Sequence, residues 1–350
     1  MPTNSALADA STAAFVATIV IYAVAMFGYA VEYAFGRKAT AARTEPKVLA
    51  TIGADKSQWT IPDEYRAAAG GSEITDHERD EPATPTGNQA GVTPRQAVLA
   101  GRIATVAMVT GAVVHAATLV LRAAAVGRWP WGNMFEFIVA ACLVGVVAWT
   151  VVVLRGLAAR RLGLFTMLLV VLLLGVSTRV YTEATPLVPA LNSYWIAIHV
   201  SAAVISTGVF MVGFVFAVLH LIRRHYHRLT SDGRAVRFPF TIAPKLPVAD
   251  RLEKLTWRLH ILAFPLWTFG IIAGAIWARE AWSRYWGWDP KEIWAFVAWV
   301  VYAAYLHSRA TGATGRRFAP WIVVLGWAVM LFNLFGVNLV FNGLHSYAGV

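Results

Sequence analysis

Charged residues are scarce in this chain, and cysteine is almost absent. Of its 350 residues only 14% are Asp, Glu, Lys or Arg, and 58% are hydrophobic, whereas soluble domains carry about 25% charged residues. The single cysteine, Cys142, lies in an apolar run and cannot form an intrachain disulfide. This composition excludes an ordinary soluble domain and predicts an all-α protein that crosses a membrane several times.

Acidic residues are fewer than basic ones, 19 against 30, which gives a formal net charge of +11. A basic chain can bind nucleic acid, but membrane proteins carry basic cytoplasmic loops for topological reasons. We therefore expect no nucleic-acid partner. The first ten residues lack a basic segment and the first apolar run is long enough to span, so we also expect no cleavable signal peptide.

Eight apolar stretches are long enough to cross a hydrocarbon core of about 30 Å as helices. The seventh is the least certain as a full span. The stretches are Thr12–Phe35, Ala97–Leu121, Met134–Leu154, Leu162–Thr178, Tyr194–Ile222, Leu259–Ala278, Ile293–His307 and Pro320–Phe341.

Arginine and lysine predict the orientation of this helix bundle. They cluster in the loops that follow the first, third, fifth and seventh stretches, and the alternate loops hold few. Because cytoplasmic loops are enriched in Lys and Arg, we predict a multi-pass protein of the cytoplasmic membrane with both termini outside. Residues 1–36 would hold the first span, 37–96 a hydrophilic, disordered cytoplasmic linker, and 97–350 the main transmembrane domain.

One stretch between the sixth and seventh predicted helices, Ala281–Ala295, combines many aromatic rings with charge. Gly287 and the Asp289-Pro290 pair interrupt any helix there. The orientation places this segment on the outer side, where it would form an aromatic platform for a flat ligand. Its aromatic and charged members are Trp282, Arg284, Tyr285, Trp286, Trp288, Asp289, Lys291, Glu292 and Trp294.

Two of the nine histidines are predicted to lie on the same side as this platform. His199 is close to the outer end of the fifth helix, and His345 follows the eighth. A porphyrin is flat and its iron has two axial positions, so two histidines from different helices beside indole rings fit its binding. The residues alone leave open that both are unrelated interfacial histidines.

His307 lies near the inner end of the seventh helix, where an ionisable group at membrane depth suggests function, although a snorkelling interfacial histidine fits as well. His115 is expected mid-span and would need a hydrogen bond. We assign no functional role to His115 or His260. His225 and its neighbours near a cytoplasmic helix end are better explained by a solvated basic face than by a metal site.

Several motifs resemble one known family. Trp286–Glu292, which reads W-G-W-D-P-K-E, resembles the tryptophan-rich WWD signature of haem-handling proteins. Gly270–Ala278, Tyr305–Arg309 and Gly127–Glu136 are similar to segments of the CcsA/ResC family, the integral membrane component of the system II cytochrome c biogenesis machinery. The resemblance extends roughly from Arg95 to Tyr347.

The resemblance implies a haem exporter and cytochrome c haem lyase (holocytochrome c synthase) that handles haem b with a ResB-type partner subunit. His199 and His345 match the family's external axial ligands of haem iron, and His307 matches its membrane-embedded ligand, whose second ligand comes from the partner. The acceptor would be an apocytochrome c with a Cys-x-x-Cys-His motif. Since this chain has no thiol pair, thioredoxin-like proteins would reduce the apocytochrome separately.

Further site residues follow from the same hypothesis. Trp282, Trp286 and Trp288 would border the ring and present it, and Arg284 and Lys291 would meet its propionates. Asp289 either manages protons or caps the seventh helix. Two other functions stay open: a WWD-type haem transporter or chaperone without bond formation, and a secondary transporter of another solute.

Overall fold

The computed structural model of the protein describes residues 3–36, 92–186 and 193–345. All regular secondary structure within these ranges is helical. The helices belong to one unit, Met1–Gly36 together with Thr93–Val350. The predicted 37–96 linker lies outside the described residues, apart from its last five.

Each of the eight predicted spans is a helix, and most extend beyond the predicted ends. After α8 the chain continues through a π-helical turn, Phe332–Gly336, into α9, Val337–Val340. The eight are α1 Ser5–Phe35, α2 Pro94–Val126, α3 Met134–Leu154, α4 Gly163–Ser177, α5 Tyr194–Ser231, α6 Ala249–Trp282, α7 Pro290–Ala310 and α8 Gly312–Leu331.

Within the described ranges, seven helical segments are long and apolar enough to cross a membrane by length and composition. They comprise α1 to α6 and Gly312–Val340, with α4 extended by short 3-10 turns to Arg160–Val180. The remaining helix, α7, has 21 residues and is therefore about 31 Å long. It has the length of a span, but its interfacial aromatic and charged residues lower its hydropathy.

Local sequence explains where the helices begin and end. Thr93 caps α2 in a capping box with Gln96, a pairing that satisfies two otherwise unbonded amides. The same helix stops at Gly127, which has a φ of 65°, a conformation that glycine adopts without steric cost. Asn133 then accepts a hydrogen bond from the Glu136 amide and starts α3.

The helices pack as neighbouring antiparallel pairs. α1 lies mainly against α2, α5 against α6 and α7 against α8, while α3 packs against both α4 and α5. Small residues permit the close approaches, as is usual between membrane helices. A Cβ at Gly208 of α5 would lie 2.7 Å from the carbonyl oxygen of Ala141 in α3.

Because the helices alternate in direction, one end of the bundle contains the end of α2, the starts of α3, α5 and α7, and the ends of α6 and α8. We call this the site end, because the cavity described below opens there. Ion pairs at the opposite end join Arg160 to Glu32 at 2.5 Å and Arg309 to Glu253 at 2.9 Å. The predicted clusters of basic residues therefore lie away from the tryptophan-rich segment.

Candidate functional site

The tryptophan-rich segment is a short loop between two capped helices. α6 ends at Trp282, where Ser283 has a φ of 57°. Asp289 is the N-cap of α7, and its side chain accepts a hydrogen bond from the Lys291 amide at 3.2 Å. Glu292 completes a capping box by accepting from the Asp289 amide at 3.1 Å and also accepts from the Gly287 amide at 2.8 Å. The predicted helix break and the predicted capping role of Asp289 agree with this geometry.

The loop turns some of its side chains away from the bundle. Trp288 has a φ of 58° and is 68% exposed, and such a left-handed residue costs about 1–2 kcal/mol. Arg284 is exposed and folds over Gly287, donating to its carbonyl oxygen at 3.4 Å. A Cβ at Gly287 would lie 2.0 Å from that guanidinium group, so a larger residue at this position would displace the Arg284 side chain.

A cavity lies beneath the loop, between the starts of α3, α5 and α7 and the halves of α6 and α8 nearest the site end. It contains about 1540 Å³ of empty space, counting its open mouth. His199, His345, Trp282 and Trp286 all line it. Trp288, Arg284 and His307 are not among the lining residues.

His199 reaches the cavity from the second turn of α5. Its Nδ1 is 2.8 Å from the carbonyl oxygen of Gly270 in α6, so the ring donates this hydrogen bond. The ring stacks on Trp277 at a centroid separation of 6.1 Å and an interplanar angle of 9°. Gly274 leaves room for it, because a Cβ there would lie 2.6 Å from Cε1 of the imidazole.

His345 approaches the same cavity from the chain after α9. Its Nδ1 is 2.7 Å from Oδ2 of Asp289, and the neighbouring Leu344 amide donates to Oδ1 at 2.7 Å. The Asp289 carboxylate therefore joins the start of α7 to the segment that carries His345. Trp282 packs edge-on against the His345 ring, with centroids 5.0 Å apart.

The ionised form of Asp289 is favoured at this position. Burial tends to raise the pKa of its carboxyl group, but the hydrogen bonds from His345, from Leu344 and from the Lys291 amide outweigh burial and hold the pKa below its ordinary value. The partner of His345 is thus a carboxylate rather than a carboxylic acid at neutral pH.

Both histidines are oriented in the way that metal-binding histidines usually are. An oxygen acceptor at Nδ1 places the proton of the neutral ring there, which makes Nε2 the nitrogen with the lone pair. A backbone carbonyl does this for His199 and a carboxylate for His345. Among the described residues no group of three or more His, Cys, Asp or Glu side chains could hold a bare metal ion.

Trp277 is a cavity residue that the sequence analysis did not single out. It is 1% exposed, stacks on His199 and contacts the His345 ring at a centroid distance of 6.1 Å. Its position follows from α6 itself, because Gly270, Gly274 and Trp277 are three and four residues apart and share one helix face. This spacing is the sequence feature from which the position of Trp277 could have been predicted.

A buried network of charged side chains supports the part of the cavity wall that Trp131 forms. Glu136 is fully buried and pairs with Arg122 at 2.7 Å and Arg128 at 2.8 Å. The Gly132 amide also donates to this carboxylate, at 2.6 Å. The segment before α3 is therefore held in place by the last residue of the predicted motif Gly127–Glu136.

Three further histidines of the described structure lie elsewhere. His307 is exposed on α7, about 26 Å along the helix from Pro290. His115 is fully buried, with Nδ1 3.2 Å from the Tyr22 hydroxyl, which provides the hydrogen bond expected of it. His260 is buried too and donates from Nδ1 to the Thr256 carbonyl oxygen at 2.8 Å.

The bundle and its cavity define a class of protein: a polytopic helical membrane protein with two oriented imidazoles and several indoles around one cavity. The chain belongs to the cytochrome c assembly protein family, which it matches over residues 131–345, well over half of its length. This match confirms the resemblance found in the motifs.

Individual relatives agree with this membership. The chain is similar to proteins named cytochrome c biogenesis protein CcsA from Guillardia theta (42% identity over 174 residues), Synechococcus elongatus (38% over 200) and Chlamydomonas reinhardtii (41% over 166). Each comparison covers 47% of this chain and 58%, 61% and 44% of the respective relative. The chain therefore spans only about three fifths or less of these relatives.

Proposed function

We propose that this chain binds haem b as its substrate between His199 and His345 and presents it for covalent attachment to apocytochrome c. It would act as the cytochrome c haem lyase together with a ResB-type membrane subunit, at the outer face of the cytoplasmic membrane. The observation that carries the proposal is the pair of imidazoles lining one cavity, each with Nδ1 hydrogen-bonded to an oxygen acceptor.

The chemistry of the cavity lining suits such a ligand. Its lining is mostly apolar and aromatic, with Trp277 and Trp282 beside the two imidazoles. Imidazole nitrogens are usual axial ligands of haem iron, and the macrocycle supplies the other iron ligands. The CcsA relatives, whose names assign them to cytochrome c biogenesis, support the same conclusion.

The attachment reaction depends mainly on how the thiols and the vinyl groups are positioned. Each thiol of the Cys-x-x-Cys-His motif adds its S–H across one vinyl group, so that a C–S bond forms, the hydrogen passes to carbon and no net oxidation occurs. Two fixed imidazoles hold the substrate, and the aromatic wall excludes water and limits its orientations. Holding the reactants close together in the right orientation can account for a large part of a rate enhancement. Trp282 and Trp286 are the loop indoles placed for this task; Trp288 and Arg284 would need to turn inward to take part.

His307 belongs to a separate step in this proposal. It is exposed on α7 and lies near the opposite end from the cavity. An exposed imidazole at that depth can receive a second iron ligand from another chain, so we assign His307 to an inner haem site completed by the ResB-type subunit.

An absorption spectrum of the purified chain with its partner tests haem binding. The wild type should show a bis-histidine haem spectrum, and His199→Ala or His345→Ala should weaken or abolish it. His227→Ala, an exposed histidine at the other end of α5, serves as the matched control. Wild-type spectra in all three variants would refute the proposed ligands.

Coexpression separates the lyase from a haem transporter or chaperone. The chain and its partner are produced with an apocytochrome c in a strain without its own assembly machinery. Covalent haem on the cytochrome, lost in the His199 and His345 variants, supports the lyase. Haem that is bound to this chain but never attached to the cytochrome supports the transporter or chaperone.

A further inference from the structure

The cavity wall contains a single basic side chain of the lysine or arginine type. Among the described residues that line it, Lys291 is the one lysine or arginine. The other cation predicted to meet a carboxylate, Arg284, is exposed and bonded within its own loop. The structure therefore separates two residues that the sequence left equivalent.

The ammonium group of Lys291 has unused donors. Within the described residues it makes one hydrogen bond, from Nζ to the carbonyl oxygen of Asn333 at 2.7 Å, although an ammonium has three donors. Asn333 lies in the π-helical turn Phe332–Gly336, and such turns often occur at functional sites. Lys291 thus connects the first turn of α7 to an irregular turn of α8 and borders the cavity between them.

Neighbouring acids do not form an ion pair with this ammonium in the described structure. Glu292, the one acid among the lining residues, accepts from the amides of Gly287 and Asp289. Asp289 is engaged by His345 and Leu344. A cation in an apolar wall is costly unless it is paired, so an anionic group of a ligand in the cavity would be stabilised beside Lys291.

We infer that Lys291 binds a carboxylate of the cavity's ligand and thereby determines which edge of the ligand lies at the junction of α7 and α8. This inference rests on the proposed function. Haem b carries both carboxylates on one edge and both vinyl groups towards the opposite edge. With the carboxylate edge at Lys291, the vinyl edge points away from the α7–α8 junction, and the reacting carbons are presented in one orientation.

The test compares haem b with its dimethyl ester, in which both carboxylates are masked. Affinities of the purified full-length chain for the two compounds are measured by absorbance titration in the same detergent. The wild type should bind the diacid at least about tenfold more tightly, because a hydrogen bond to a charged group contributes roughly 1.5–3 kcal/mol. Equal wild-type affinities would overturn the inference without any variant.

Lys291→Met should weaken binding of the diacid about ten- to a hundredfold and leave the affinity for the diester unchanged. Lys291→Arg should restore part of the preference, and Lys254→Met, an exposed lysine near the inner end of α6, should retain all of it. Equal losses for both compounds in Lys291→Met would show that Lys291 only clamps the α8 turn. Loss of the preference in Arg284→Met instead would assign the carboxylate to Arg284.

These outcomes are distinguishable from failure of the proposed function. If the wild type binds neither compound through His199 and His345, the proposed function itself is wrong. If it binds both through these histidines but with equal affinity, haem binding stands and only the role of Lys291 is refuted.

Discussion

Asp289→Asn is the most informative single change in this site. The wild-type carboxylate accepts from Nδ1 of His345 through Oδ2 and from the Leu344 amide through Oδ1, both at 2.7 Å. An asparagine has one oxygen and one NH2 group. Whichever way the amide is turned, one of these two donors faces another donor, and the negative charge is gone.

The expected size of the effect follows from these contacts. Loss of one hydrogen bond to a charged group costs roughly 1.5–3 kcal/mol, and 1.36 kcal/mol corresponds to a factor of ten. Haem affinity should therefore fall about ten- to a hundredfold, in the range found for partners of metal-binding histidines. The reduction potential of bound haem should become more positive, because the lost negative charge stabilises ferric more than ferrous iron.

Glu292→Gln is the matched control for this experiment. Glu292 and Asp289 form the same capping box, and because asparagine at the N-cap and glutamine three residues later are also capping residues, both substitutions preserve the start of α7. Only Asp289 contacts His345. Glu292 also lines the cavity, so redox titration followed by absorbance should show a small shift for Glu292→Gln and a larger one for Asp289→Asn, which alone of the two also loses its hydrogen bond with His345. If Asp289→Asn keeps the wild-type potential and affinity, Asp289 is a helix cap and does not tune the ligand.

Two further predictions concern the pH dependence of stability and the space around the His199 ring. The pKa of Asp289 lies below its ordinary value, about 3.9, so its carboxylate stabilises the fold above that pH, and the contribution is lost as pH falls through the lower folded-state pKa. The difference in melting temperature between wild type and Asp289→Asn should shrink as pH falls below about 4; a difference that stays the same down to about pH 2 would contradict this ionisation. Gly274→Ala should displace His199, since the new Cβ would lie 2.6 Å from the ring, and weaken the bis-histidine spectrum. Gly175→Ala, with no atom within 4 Å of its Cβ, is the control, and an unchanged spectrum in Gly274→Ala would show that the ring has room.

The helices were predictable because their signal is local. Apolar stretches of spanning length, Asp289-Pro290 as a helix start and Gly287 as an interruption can be recognised within a few residues of sequence. The common location of His199 and His345 was also predictable, because alternation of the spans places their helix ends on one side. The structure brings both to one cavity, while haem ligation itself stays a prediction.

Side-chain direction was not predictable in the same way. Trp286 and Trp288 are equivalent in the sequence pattern, but the left-handed backbone at Trp288 turns that indole outward. The contact between Asp289 and His345 joins residues 56 positions apart, and no helical or strand periodicity connects such positions. The motif Gly270–Ala278 contains Trp277 together with Gly270 and Gly274, so Trp277 could have been identified from its spacing to these two glycines.

The helix α7 connects the two proposed haem sites mechanically. α7 runs without interruption from Pro290 to Ala310, with the Asp289–His345 contact at its first residue and His307 in its last turn. A helix of this length behaves as a stiff rod, and the contact at its start is made to a folded segment rather than to solvent. If the proposed ResB-type subunit binds α7 near His307, it acts about 26 Å along the same helix from the Asp289–His345 contact. Even a small tilt applied there displaces the carboxylate that orients His345.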